Sequence, residues 1–242
     1  MNYDIIDANT LFGFYPKRNI DTSIAQLQQM MKRNHISHAV TISLQSIHYD
    51  YRLGNQETID IVKQYPELIP AFSVDPREYF SCVDEIKLRA SLGLKLIRLF
   101  PELQGWHFDA APIPKILQAI ADAKLVLMVE SRAWGVATKY AESANRYGIP
   151  IILTGISYFN FGEALALMNL YPQVYIEPRI LDSPDGIDLA VKKTGADRLI
   201  FGSHAPFDYI EPAKMLVEGS HISNEEKALI FGGNIKKILN LT

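Results

Sequence analysis

Short apolar runs, many of them β-branched, alternate along the chain with longer segments whose apolar positions recur every three or four residues. The short runs are Tyr3–Ala8, His38–Ser43, Ile69–Val74, Leu94–Leu99, Leu125–Val129, Pro150–Thr154, Val174–Glu177 and Leu199–Gly202. Each is bounded by turn chemistry and nearly all apolar, the pattern of parallel strands covered on both faces. Between the first two, Thr22–Arg33 follows an Asp and carries Ile24, Leu27, Met30 and Met31 on one stripe, which predicts a helix. Similar stripes predict helices at Asn55–Gln64, Cys82–Ala90, Ile113–Ala121, Val136–Arg146, Glu163–Asn169, Ile187–Lys193 and Pro212–Val217. A final helix pair, Ser223–Ile230 and Asn234–Leu239, follows the eighth unit.

Eight strand–helix units in 242 residues allow roughly 30 residues each, the size of one βα repeat. Strict alternation implies parallel pairing with right-handed crossovers. An open doubly wound sheet would carry a glycine-rich phosphate loop after its first strand, and here that turn reads DANTLFGFYP, with one glycine. The expectation is therefore an α/β fold, a (β/α)8 TIM barrel. No linker, repeat or low-complexity tract divides it, so residues 1–242 are expected to form a single domain ending in the helix pair.

Composition narrows the partners. With 24 basic and 27 acidic residues the net charge is -3, which argues against nucleic acid or a polybasic membrane contact. One cysteine excludes a disulfide framework and any cysteine-rich metal centre. No stretch approaches the ~20 apolar residues of a membrane span, and the start, MNYDIIDAN, lacks a basic region followed by an apolar run. A cytoplasmic protein whose partner is a small-molecule substrate is expected.

In such a barrel the chemistry lies at the carboxyl ends of the strands. Read in order, those ends offer Asp7 and Asn9, Ser43, Asp75, Arg98, Glu130, Gly155 and Ser157, Glu177 and Arg179, and His204. Asp7 and Asn9 are two apart and face the same way if the strand persists. Glu130 and Glu177 each end an otherwise apolar strand. Imidazole exchanges protons near neutral pH, so His204 is the candidate general acid or base, with Asp7 or Glu130 to orient it. Arg98 or Arg179 could grip a substrate carboxylate through a bidentate contact. His107, in GWHFD, lies on the fourth loop beside Trp106 and Phe108, where it could help cover a substrate; His48, in IHYDYR, is a weaker candidate of the same kind.

The opening IIDAN, the segment GLKLIRLFPELQGWHFD, the turn FGSHAPF and the ending GGNIKKILNL together resemble the amidohydrolase-related metal-dependent hydrolases of the amidohydrolase superfamily. The resemblance spans essentially the whole chain. It implies a (β/α)8 barrel that hydrolyses or decarboxylates a small carboxylated or cyclic substrate, with one divalent metal, most often zinc, and a homodimer. The pattern of that family departs here at each typical ligand or catalytic position. Asp-x-His-x-His at the first strand reads Asp7, Ala8, Asn9, Thr10, Leu11; the fifth-strand histidine is Glu130; the sixth falls near Gly155; the eighth-strand aspartate is His204.

Two chemistries stay open. Asn9, Glu130, Glu177 and His204 would make an oxygen-rich metal site, better suited to manganese than to zinc. Alternatively His204 acts without a metal. The corresponding functions are an enzyme with an altered or absent metal site and a catalytically degenerate, metal-free barrel that binds a small molecule.

Overall fold

The computed structural model describes residues 3–241. Seven parallel strands pair in chain order: β1 (Ile5–Phe12), β2 (Ile36–Ser43), β3 (Leu68–Phe72), β4 (Leu96–Leu99), β5 (Val126–Glu130), β6 (Ile151–Thr154) and β7 (Val174–Ile176). The helices Ile24–Asn34, Tyr51–Val62, Tyr79–Ser91, Ile113–Asp122, Val136–Arg146, Phe161–Leu170 and Gly186–Thr194 follow them one by one. The result is a curled α/β sheet of barrel-like form.

The expected eighth strand, Leu199–Gly202, does not form as a regular strand. Its residues instead make isolated bonds to both ends of the sheet. Ile200 N donates to Ile176 O at 2.9 Å, Ala8 N to Phe201 O at 3.0 Å and Leu11 N to Ala205 O at 2.9 Å. Pairing is interrupted within the segment because the Phe201 N–H bonds to Ile230 O at 3.0 Å instead of to β1, and just beyond it His204 leaves the extended region at φ 66.

Side chains along the strands alternate between two apolar layers. Ile6, Ala8, Val40, Ile42, Leu96, Val126, Met128, Ile152 and Ile200 fill the interior of the curl. Ile97, Leu99, Leu127, Val129, Leu153, Ile176 and Phe201 face the helices. The alternation decides where the chemistry points: Arg98, Glu130 and Thr154 have interior parity at the ends of β4, β5 and β6, and Glu177 continues that parity just past β7.

The C-terminal pair also differs from its expected form. Ser223 caps a short helix, Asn224–Ala228, in a reciprocal bond with Glu226; a π-type turn, Leu229–Gly233, then leads into the helix Asn234–Leu239. The turn lets Gly232 pass so close to β1 that a Cβ there would lie 2.3 Å from Asp4 O. Asn234 Nδ2 donates to Ala196 O and Leu199 O, both at 2.7 Å, and so pins the segment that closes the sheet. Among the described residues, no helix is long and apolar enough to cross a membrane.

Candidate active site

β1 runs four residues beyond its expected end at Ala8. Its pairing with β2 slips between Asp7 and Thr10, where Asp7 faces Ala39 and Thr10 faces Thr41. One extra residue is thus inserted, a bulge of the kind that re-aims side chains at sheet ends. Asp7 and Asn9 diverge as a result. Asp7 is fully buried and turns to the closing segment, accepting from Ser203 N at 2.9 Å, from Ser203 Oγ, and from Asn9 N at 3.0 Å. Burial pushes its carboxyl up to about 7, against the pull of those bonds and with a further push from Glu177.

Asn9 enters the interior and joins two charges. Its Nδ2 donates to Glu177 Oε2 at 3.2 Å, and its Oδ1 accepts from Arg98 Nη2 at 2.6 Å. Arg98 also donates to Thr10 O at 2.9 Å. Both acceptors are neutral, although the side chain is buried. Burial, reinforced by the positive charge of Arg179, pushes Arg98 down to about 10. Gly202 is required here because a Cβ would stand 2.8 Å from Glu177 Cγ and 2.9 Å from Asn9 Cβ.

Arg179 lies behind this layer. Its Nη1 donates to Glu177 Oε2 at 2.7 Å and its Nη2 to Glu130 Oε1 at 2.8 Å, while its own N–H donates to Glu177 Oε1 at 2.8 Å. Burial opposes its charge, but the two carboxylates outweigh that and raise its pKa. Burial likewise pushes Glu130 up, and Arg179 and Arg132 overcome it, leaving the carboxyl below its ordinary range.

His204 is held from two sides. Its backbone N donates to Asn9 O at 2.6 Å, and its Nδ1 lies 3.0 Å from Asp208 Oδ2. The bond to His204 keeps the Asp208 carboxyl below its ordinary value, so Asp208 accepts and Nδ1 carries the proton. Nε2 is then the basic atom of the neutral ring.

Part of this set borders a cavity of about 320 Å³. Asn9, Arg98, Glu130, Arg132, Thr154 and His204 supply polar lining; Tyr15, Leu44, Ile47, Phe100, Met128 and Phe207 supply apolar lining. Glu102 and His48 also border it; burial raises the Glu102 carboxyl and lowers the His48 imidazole.

Of the residues named from the sequence, the cavity therefore receives Asn9, His48, Arg98, Glu130 and His204. Asp7, Glu177 and Arg179 form the layer behind it. His107 is exposed and outside the lining, although Trp106 and Phe108 beside it are buried. Ser43 and Asp75 serve local structure instead: Ser43 N donates to Thr58 Oγ1 at 2.9 Å, and Asp75 pairs with Arg77 at 2.5 Å. Sequence reasoning passed over Asp208, which no strand-end rule selects; its signal was the four-residue spacing from His204 across a turn.

Among the described residues, no group of three or more His, Cys, Asp or Glu side chains is arranged to hold a metal ion. Within the set Asn9, Glu130, Glu177 and His204, the Arg179 guanidinium stands between the two carboxylates, pairing with Glu130 at 2.8 Å and Glu177 at 2.7 Å. A side chain at Gly155 is excluded as well: the residue has φ 76, and a Cβ would lie 2.9 Å from Glu130 Cγ. The donor set does not fit the divalent metal that the resemblance implies.

A family model described as Amidohydrolase matches residues 4–241. A search of curated proteins finds no sequence match. Among solved structures, 5-carboxyvanillate decarboxylase from Sphingomonas paucimobilis is similar with a TM-score of 0.79 at 15% identity, covering 99% of this chain and 100% of its own. The 2,6-dihydroxybenzoate decarboxylase from Rhizobium gives 0.77 at 13% identity, with 99% of each chain covered. A protein from Acinetobacter baumannii described as a probable 2-pyrone-4,6-dicarboxylic acid hydrolase, with citric acid bound, gives 0.72 at 16% identity, covering 98% of this chain and 100% of its own. At these identities the likeness is one of fold.

Proposed function

The chain belongs to the amidohydrolase family, and from that premise we propose that it is an enzyme that hydrolyses a small, cyclic, carboxylated substrate held in the cavity at the strand ends. The observation that carries the reading is Arg98: a buried guanidinium that borders the cavity and whose hydrogen bonds end on neutral oxygens. A substrate carboxylate would supply the missing countercharge. The apolar lining suits a single ring, and a volume of about 320 Å³ lies at the small end of ligand sites.

His204 is the proton carrier. Nε2 takes a proton from water as the water oxygen bonds to the substrate carbonyl carbon; the bond to the leaving oxygen or nitrogen breaks, and the same proton passes to that atom. Asp208 holds the ring in the required tautomer and offsets the charge it gains. Arg98 and Arg132 stand where they can stabilise the negative charge that develops. We also infer that residues 199–205 serve as the eighth stave of a (β/α)8 barrel and that the chain is one domain; the bonds from that segment to both β7 and β1 support this.

Calorimetric titration with benzoate, isophthalate and pyrone carboxylates, alongside their methyl esters, tests the binding half. The acids are expected to bind and the esters are not; equal binding of both overturns the role of Arg98. Product analysis by NMR then tests the reaction. Water addition supports hydrolysis, and release of carbon dioxide instead overturns it in favour of decarboxylation at the same site.

A further inference from the structure

Three carboxylates converge on one guanidinium. Glu130 comes from the end of β5, Glu177 from the end of β7 and Asp208 from the turn after the closing segment. Arg179 meets Glu177 through Nη1 at 2.7 Å and Glu130 through Nη2 at 2.8 Å, and its Nε stands 3.6 Å from Asp208 Oδ2. The Arg179 and Glu177 side chains are 2% and 0% exposed, so neither charge is solvated by bulk water. Glu130 and Asp208 reach the solvent side, at 29% and 51% exposed, but carboxylates gathered around a fully buried one still repel one another unless a cation lies between them. Asp208 in turn holds His204, and Glu177 holds Asn9 and through it Arg98. Asn9, Arg98, Glu130 and His204, four of the polar groups that border the cavity, thus trace back to Arg179.

We propose that Arg179 is a built-in cation that replaces the divalent metal of metal-holding barrels, fixing Glu130, Glu177 and Asp208 in place so that this site is assembled without a metal ion. A guanidinium can do this because its planar fork reaches several carboxylates at once and keeps its charge at any physiological pH. It offers no empty coordination position, however, so it cannot bind and activate water as a metal does. Arg179 does not border the cavity and is a positioning residue. The inference concerns how the site is held together and is independent of which reaction the site performs.

The test is cation binding, not turnover. Wild-type protein, dialysed against chelator, is titrated with Mn²⁺, Co²⁺ and Zn²⁺ by calorimetry and by thermal denaturation. Neither a stoichiometric binding event nor a shift in melting temperature is expected; one bound equivalent at the site overturns the proposal. Arg179→Ala removes the cation and leaves the carboxylates. It is expected to melt well below wild type and to recover most of that loss in millimolar Mn²⁺, with an affinity at least 100-fold above that of wild type. Arg179→Lys keeps the charge and is expected to stay folded without gaining the metal. A stable Arg179→Ala protein with no gained cation affinity overturns the proposal. If Arg179→Ala folds in no condition, Arg179→Ala combined with Glu177→Gln and Glu130→Gln decides: relief of carboxylate repulsion should restore folding, and failure to do so refutes the charge argument.

Discussion

Arg98 Nη2 lies 2.6 Å from Asn9 Oδ1, and this short bond aims the one cavity-facing guanidinium that has no carboxylate among its hydrogen-bond partners. Arg98→Met should therefore weaken binding of small ring carboxylates by about 10- to 100-fold, the worth of a charge-assisted hydrogen bond of about 1.5–3 kcal/mol. The neutral esters should bind neither protein measurably. Asn9→Ala should weaken the acids less, because it frees the guanidinium without removing it. Calorimetry on the two variants reads both effects, and unchanged affinity in Arg98→Met removes the anchor.

His204 depends on Asp208 for its tautomer. Replacing the carboxylate with an amide, Asp208→Asn, should leave the fold intact yet scramble the ring between its two neutral forms. Turnover should fall by about 10²–10⁴-fold, the range associated with a positioned general base. Nitrogen-15 shifts of the imidazole at neutral pH give a readout that needs no substrate: Nδ1–H should dominate in wild type and lose dominance in the variant. Identical spectra would mean that Asp208 does not set the tautomer.

Gly155 and Gly135 share a left-handed backbone, with φ 76 and 83, but differ in what surrounds them. A Cβ at Gly155 would lie 2.9 Å from Glu130 Cγ and 3.1 Å from Arg132 Cγ, whereas one at Gly135 meets nothing within 4 Å. Gly135→Ala should cost about 1 kcal/mol for backbone strain, and Gly155→Ala about 2–3 kcal/mol because the collision adds to it. Urea denaturation of both variants isolates the collision as the difference, and equal losses would show that Glu130 moves aside freely.

What could be read from the sequence follows from what leaves a local trace. Parallel strands buried on both faces are nearly continuous apolar runs, so seven of eight are legible to within a few residues, and the helix Val136–Arg146 is legible to the residue. β1 was cut short because Asp7, Asn9 and Thr10 are polar and look like a turn, although all three are buried. Their burial is tolerable only because partners from distant segments bond to them, and no local pattern reveals that. The strand-end rule finds the right neighbourhood and includes Arg98 and Glu130, and both border the cavity. It did not reveal that Arg179 would take up the space among the carboxylates, since this depends on the relative heights of three strand ends. His107 has the residue type of a catalytic group, but its loop turns it to solvent.

Asp7 makes stability depend on pH in a defined direction. An ordinary aspartate titrates near 3.9 in the unfolded chain, whereas burial raises the folded carboxyl to about 7. Between those values the folded protein keeps a proton that the unfolded chain releases. Stability from this group is thus fully present below about pH 4 and falls as pH rises, by about 1.4 kcal/mol per unit at most, until the folded carboxyl ionises near pH 7. Asp7→Asn mimics the protonated form at every pH and can still accept from Ser203 N and Asn9 N. Groups common to both proteins cancel in a difference. The stability of wild type minus that of Asp7→Asn, measured by urea denaturation from pH 5 to 8, should decline up to about pH 7 and then level off. Parallel curves across that range would place the folded carboxyl near its ordinary value and show that the bonds from Ser203 and Asn9 outweigh burial.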